Sequence, residues 1–400
     1  MNTININDFD YSLPQEKIAV FPLQNRDESK LLVYKNNTIS QESFKIIPQL
    51  IPKDSLIVFN NTKVIKARLE FRKKTGAAIE IFLLEPYSPK DYLQAFSTNL
   101  SCKWKCLIGN AKKWKNEALL KEITINRTKL LLNAEKLDNN IVSFSWDNNN
   151  ICFSEIVQEA GNIPIPPYLN RKSEEIDKSR YQTLLAKNEG SVAAPTAALH
   201  FTNETLDKLI QKNINIEELT LHVGAGTFRP VLTNSIINHQ MHKERIFLTE
   251  KNIVSFLKFC GNITAVGTTT VRTMESLYWL GVKLIQNEKI NLQSFSIEQW
   301  EVYNLPTNIP VNQSLERIIE EMKKQGINQI SGETGIIIVP GYGFKMIDRL
   351  ITNFHQPKST LLLLIAAFVG NNWKNIYTFA LDNNFRFLSY GDSSFLTKTG

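Results

Sequence analysis

The sequence predicts an α/β protein in which a discontinuous α/β domain, residues 1–60 and 150–400, is interrupted by a small antiparallel β-barrel domain at residues 61–149. Three observations lead there. Between Val64 and Trp146, short runs of β-forming residues recur about every ten residues with polar turns between them, the pattern of a small barrel or sandwich. After Asn150, helical patterns alternate with apolar strands, which argues for layers around a largely buried sheet. Ahead of the β-rich region, SLIVFNN (Ser55–Asn61) reads as a strand of that same sheet, which makes the β-rich region an insertion. A chain of 400 residues suits two domains, and a hydrophobic share of 42% excludes wholesale disorder.

In chain order, the insertion is expected to use KARLEFRKK, AAIEIFLLE, YLQAFST, KCLIG, EALLKEITI, TKLLLNAE and IVSFSW as strands. In the second half, Thr202 caps a helix over NETLDKLIQKN, and Thr249 caps EKNIVSFLKFCG with Gly261 beyond its end. Ser314 to Gly326 (SLERIIEEMKKQG) carries a cap at each end. ELTLHV, NITAVGT and GIIIVP are the strands between them. The Asn- and Pro-rich stretch around Trp300–Ser314 marks residues 283–335 as an excursion from the core. Leu361–Val369 is the longest apolar run, far short of the ~20 residues that cross a bilayer, and reads as a buried helix.

Forty-six basic against 39 acidic side chains give +7, which permits a polyanionic partner without demanding one. The polar N-terminus lacks the basic and apolar regions of a signal peptide, so a cytoplasmic, non-membrane protein is expected. The four cysteines suit a reducing compartment as small apolar residues. No metal is expected, since the Cys102/Cys106 pair has no neighbouring His or Cys to complete a zinc site and no H-E-x-x-H pattern occurs.

Four stretches carry chemistry. In LTLHVGAGTF a strand runs into Gly224-Ala225-Gly226, where the backbone can turn sharply and approach a ligand, although an ordinary strand-to-loop turn reads the same way. The loop also resembles the glycine loop of class I methyltransferases, but His222 stands where an acid is usual and Phe228-Arg229-Pro230 follow where a helix should begin. In ITAVGTTTVRTMESLYWL the hydroxyls of Thr268, Thr269 and Thr270 gather at a helix N-terminus, a place for anions or polar ligand atoms, and Arg272 there calls for a negative partner. SVAAPTAALHF sets small residues around Pro195 and Thr196 before His200, and RLITNFHQPKSTLLLLIAAF sets His355 and Lys358 in a polar loop ahead of the buried helix. His200, His222, His242 and His355 all lie in or beside these loops, and imidazole is the side chain suited to proton transfer near neutrality.

Together these stretches resemble the S-adenosylmethionine:tRNA ribosyltransferase-isomerase family of queuosine biosynthesis. DFDYSLP, LIVFNNTKVIKARL, GNIPIPPYLNR, SVAAPTAALHF, TLHVGAGTFRPV, MHKERI, AVGTTTVRTMES, VPGYGFKMID, TNFHQPKSTL and FRFLSYGDSSF carry the likeness in order along nearly the whole chain. It implies an α/β domain interrupted by a β-barrel, S-adenosylmethionine as co-substrate, and a tRNA anticodon loop carrying an aminomethyl-deazaguanine base as partner. It implies transfer of the ribosyl moiety of S-adenosylmethionine to that aminomethyl group and its isomerisation to an epoxycyclopentane, with release of adenine and methionine. The chain departs from the family pattern at Lys63, Lys66, Ala198 and Gln356. A paralogue acting on another nucleoside and a class I S-adenosylmethionine-dependent RNA methyltransferase are the alternatives.

Such a reaction needs a base for the carbon beside the sulfonium and an acid for the departing adenine. His222, His200 and then His355 are the candidates, with Asp392 as an orienting carboxylate. Pro195, Thr196, Gly224, Ala225, Gly226, Thr227, Thr268 and Thr269 are expected to line the S-adenosylmethionine site. Lys63, Arg68, Arg272 and Lys358 are expected to meet tRNA phosphates or the flipped base. The protein is expected to act as a monomer.

Overall fold

The computed structural model describes residues 4–115, 117–138, 140–224, 231, 233 and 235–398. Leu56–Asn60 (LIVFN) is buried along its whole length, which suits a strand with packed layers on both faces. It lies inside a ten-stranded mixed sheet, parallel to Asn215–His222 on one side and to Ile263–Val266 on the other. Beyond Ile263–Val266 come Arg349–Asn353, parallel to it, then Ser393–Thr397, antiparallel, then Lys30–Lys35 and Thr38–Ser43. Beyond Asn215–His222 come Glu244–Thr249, Gln329–Thr334 and Phe295–Ile297. Four parallel strands therefore end, at Asn60, His222, Val266 and Asn353, along one edge of the sheet.

The second sheet has seven strands, with Gly161–Asn162 joining the antiparallel strands drawn from residues 68–146. It curls without closing. The edge strand Leu119–Ile125 is not hydrogen-bonded to Arg68–Arg72, and Lys121 Nζ crosses the gap to donate to the Glu70 carbonyl at 3.0 Å. The expected barrel is thus a half-barrel, with its own core around Phe71, Trp104, Phe144 and Phe153. The expected strand YLQAFST is instead the helix Tyr92–Ser97. Asp91 caps it by accepting from the Gln94 N–H, and Ala95 and Phe96 turn into the half-barrel core.

GIIIVP is not a strand either. The strand in that region is Gln329–Thr334, and the buried main chain after it finds its partners elsewhere. The Ile336 carbonyl accepts from Arg272 Nε, the Ile337 N–H donates to the Gln299 carbonyl, and the Ile337 carbonyl accepts from the Tyr303 hydroxyl. A buried backbone needs partners but not necessarily those of a sheet.

Residues 283–335 are no excursion. Phe295–Ile297 and Gln329–Thr334 extend the large sheet, and Leu292, Val302, Leu315, Ile318 and Met322 share one core with the sheet residues Val58, Leu221 and Ala265. The helix here begins at Val311 rather than after Ser314, and ends at Gly326 in the left-handed region, φ 65°. Ser314 is buried within it and donates its hydroxyl to the Tyr278 carbonyl at 2.7 Å. It meets the helix Thr268–Ile285, in which every residue but Ile285 is buried.

The two helices touch at Gly281, where an added Cβ would lie 2.2 Å from the Ser314 carbonyl oxygen. Backbone cannot yield there as a flexible side chain does. Gly281→Ala is therefore expected to destabilise the protein by about 1–3 kcal/mol or more, the usual cost of overpacking. Urea unfolding checks it, and an unchanged midpoint would show that the helices separate freely.

Candidate active site

Open α/β sheets place ligands beyond the carboxyl ends of their parallel strands. Here that edge holds a cavity of ≈ 100 Å³. One wall comes from the small-residue stretch Ala193–Ala197, a second from Gly267, Thr268 and Thr269, and a third from Thr352–Gln356. Tyr168, Tyr181, Leu388 and Ser389 add to it. Gly267 caps the Thr268–Ile285 helix at φ 90° and stands 3.7 Å, measured from an added Cβ, from Ala197. A positive φ at this close approach explains the glycine.

All four chemical stretches thus contribute, Val223 from the first, and Pro195, Thr196, Thr268, Thr269, Arg272 and His355 from the others. Thr270 is not available, because its hydroxyl donates to the Val266 carbonyl one turn back. Ala225, Gly226 and Thr227 lie outside the described residues. Ala198 packs with Phe59, Phe201 and Ile351 in a core cluster rather than in the cavity wall, so its methyl group does not narrow the cavity.

His355 is held by its main chain, which donates to the Tyr377 hydroxyl at 3.1 Å and accepts from the Tyr11 hydroxyl. Its Nε2 pairs with Thr352 Oγ1 at 3.0 Å. His222 does not share this cavity. Successive residues of an extended chain face opposite ways, and Val223, just past the strand, lines the cavity while His222 lines a separate cleft of ≈ 630 Å³ beside the half-barrel. Lys90, Lys105, Lys243 and Arg245 border that cleft, as does Gly224. The His222 ring lies against Tyr92 and Phe247 and takes Thr62 Oγ1 at 2.8 Å on Nδ1. A Cβ at Gly190 would stand 2.8 Å from it.

His200 borders another small pocket, and its Nε2 meets Asn353 Nδ2 at 3.2 Å. Asp392 orients no histidine among the described residues. Its two oxygens accept from the main-chain N–H groups of Lys30 and Arg386, and the Arg386 guanidinium is 3.5 Å away. It ties chain segments together, and burial raises its pKa.

Arg272 lines the cavity with its guanidinium buried and paired with Glu244, so the negative partner the sequence called for lies within the fold, and of its two expected partners the surface phosphates are out of reach. Lys63, Arg68 and Lys358 are paired with Glu189, Glu80 and Asp10 at 2.8, 3.5 and 3.0 Å. Exposed pairs of this kind are worth little and exchange readily for another anion. Cys102 and Cys106 are buried, whereas Cys260 is exposed. His239 and His242 stand at H-x-x-H spacing, yet among the described residues no three His, Cys, Asp or Glu side chains gather as a metal site. No helix of the described residues is long and apolar enough to cross a membrane.

Burial lowers all three candidate histidines, His200 and His355 to about 3 and His222 to about 4, with Arg386 and Arg245 adding to the effect on His200 and His222. They are neutral at working pH, hence bases or acceptors rather than resting acids. An unfolded imidazole titrates near 6.5, so between that value and the folded ones the unfolded chain binds more protons. Stability is then fully present above pH about 6.5 and is lost as pH falls toward 4 and 3. The melting temperature is expected to hold from pH 8 to 7 and drop steeply below 6, less steeply in His355→Gln. A flat profile to pH 4 would mean that the rings protonate without unfolding.

Fold and cavity together define an α/β protein with a cavity at the carboxyl ends of parallel strands and a second, curled antiparallel sheet. The chain belongs to the queuosine biosynthesis protein family, whose model matches residues 6–396. It is 36% identical over 402 residues to the S-adenosylmethionine:tRNA ribosyltransferase-isomerase of Fusobacterium nucleatum, covering 98% of this chain and 96% of that one. It is 36% identical over 401 residues to the protein of the same name from Finegoldia magna, covering 98% of each. Among solved structures, the S-adenosylmethionine tRNA ribosyltransferase of Thermotoga maritima is 26% identical over 97% of this chain and 99% of that one, with a TM-score of 0.46.

The sequence reading missed Asn353, Tyr168, Tyr181 and Ser389. Asn353 lies within TNFHQPKSTL, a stretch read only for His355 and Lys358, and a single Asn at a strand end carries no chemical signal of its own. The tyrosines come from a Pro-rich stretch and a short helix whose placement depends on distant packing.

Proposed function

We propose that the protein is an S-adenosylmethionine:tRNA ribosyltransferase-isomerase. It transfers and isomerises the ribosyl moiety of S-adenosylmethionine onto the aminomethyl group of 7-aminomethyl-7-deazaguanine in tRNA, giving epoxyqueuosine-tRNA and releasing adenine and methionine. The observation that carries this is the family match over residues 6–396.

S-adenosylmethionine occupies the cavity, against Pro195 and Thr196 and over the helix N-terminus at Thr268 and Thr269. His355 serves as the base. With Nε2–H donating to Thr352, Nδ1 carries the lone pair that removes a proton from the carbon beside the sulfonium. The anticodon loop approaches over the cleft bordered by Lys90, Lys105, Lys243 and Arg245, with Lys63, Arg68 and Lys358 as further phosphate contacts, since single-stranded loops offer unstacked bases to a pocket. The seven-stranded sheet serves as an inserted domain that steadies this loop, and the protein works as a cytoplasmic monomer.

Product analysis with tRNA carrying the aminomethyl precursor tests the reading. Adenine and methionine are expected in equal amounts with epoxyqueuosine-tRNA. Release of S-adenosylhomocysteine would make the protein a methyltransferase, and turnover only on another nucleoside would make it a diverged paralogue.

A further inference from the structure

Two buried polar atoms of the cavity residues lack a partner among the described residues, Thr269 Oγ1 and Asn353 Oδ1. Asn353 is 3% exposed, and its amide is not free to turn. Nδ2 donates to the Leu388 carbonyl at 3.2 Å and meets His200 Nε2 at 3.2 Å. Turning the amide over would set Oδ1 against a carbonyl oxygen, which cannot donate. With the nitrogen fixed toward Leu388, its second N–H needs an acceptor, and His200 Nε2 is that acceptor. The His200 proton is then on Nδ1. The ring is enclosed, tilted on Phe44 with centroids 5.1 Å apart, and burial keeps it neutral. Oδ1 is left as a buried acceptor whose unmet need is a donor, and a buried acceptor left unsatisfied is costly.

We propose that Asn353 Oδ1 reads the bound substrate by accepting a hydrogen bond from one of its N–H or O–H groups, and that His200 is a positioning residue that holds the amide in this orientation. The inference rests on the reading of this cavity as the S-adenosylmethionine site. Both the amine and hydroxyls of S-adenosylmethionine and the amines of the precursor base offer such donors. His200 takes no proton from substrate in this arrangement, because Asn353 stands between them.

Titration calorimetry with S-adenosylmethionine alone and steady-state adenine release with precursor tRNA form the test. Asn353→Ala is expected to weaken one substrate by about tenfold to a hundredfold, the worth of a buried hydrogen bond that a site is built to make, with a smaller fall in kcat. Weaker binding of S-adenosylmethionine identifies it as the donor. A raised KM for tRNA alone identifies the base. Unchanged values for both overturn the proposal, whereas a wild-type protein that binds S-adenosylmethionine and releases no adenine counts against the proposed reaction and leaves the calorimetric arm intact.

Should Asn353→Ala fail to fold, a pair at His200 reads the same contact from outside the cavity. His200→Phe keeps the ring packing without an acceptor and is expected to reduce the same affinity. His200→Gln sets an oxygen near the place of Nε2 and is expected to recover most of it with the wild-type pH profile. Equal losses in both variants, or a lost limb of the pH profile in His200→Gln, would overturn the positioning role.

Discussion

A protein lacking residues 287–331, closed by a short linker, does not fold. That result is expected because the deletion removes the strand Phe295–Ile297, the first half of Gln329–Thr334 and the helix Val311–Gln325, and with them the cover of the helix Thr268–Ile285. Tyr278, Trp279 and Leu280 would meet water along with the edge residues Ile246 and Leu248, all of them members of the shared core. Each large apolar side chain uncovered costs about 1.5–3 kcal/mol, and a domain has about 5–15 kcal/mol in total. Circular dichroism and size-exclusion chromatography check it. Cooperative melting within a few degrees of the intact protein would show that the segment is an appendage after all.

His355→Ala is expected to lower adenine release by about 10²–10⁴-fold, the usual worth of a positioned acid or base. Affinity for S-adenosylmethionine should change far less, since a proton transfer made in the transition state does not enter ground-state binding. Folding should survive, because the Tyr11 and Tyr377 contacts hold the His355 main chain rather than its ring. His222→Ala is the comparison. Its ring packs among Tyr92, Phe247 and Gly190, and its loss should lower the melting temperature first. If turnover per folded molecule vanished in His222→Ala and stayed near normal in His355→Ala, the chemistry would belong to the cleft beside the half-barrel.

The elements legible in the sequence were those whose burial is written locally. LIVFN, ITAV and the apolar helix after Ser359 announce themselves by unbroken hydrophobic runs. Caps at Thr202 and Thr249 are equally local. Tyr92–Ser97 was misread because six residues rich in aromatics fit a strand as well as a helix, although Asp91 stood ready as a cap.

What escaped depends on partners far along the chain. Arg272 looks like a free cation until Glu244, at the start of the strand Glu244–Thr249, takes its charge. Residues 283–335 look loose because Pro and Asn dominate their turns, while Leu292, Phe295 and Met322 lie too far apart to form a pattern. The candidate site was half legible. Small residues and hydroxyls at strand ends pointed to the cavity wall, and strand alternation between His222 and Val223 already held the information that separates the two histidines.

The pairing of Lys30–Lys35 with Ser393–Thr397 bears on how the protein comes off the ribosome. The C-terminal strand is interior to the sheet and lies between Arg349–Asn353 and Lys30–Lys35. The segment Lys30–Lys35 must therefore wait for Ser393–Thr397, made long after it, before it finds its neighbour. Until then Leu31 and Leu32, fully buried in the finished protein, have no sheet to enter, and contacts of such sequence separation form slowly. A nascent or prematurely terminated chain carries a sticky N-terminal hairpin. The antiparallel strands of residues 68–146 pair largely with near neighbours in sequence and have no such wait. Synthesis order thus leaves the half-barrel able to form early, whereas the large sheet stays incomplete until Ser393–Thr397 has been made.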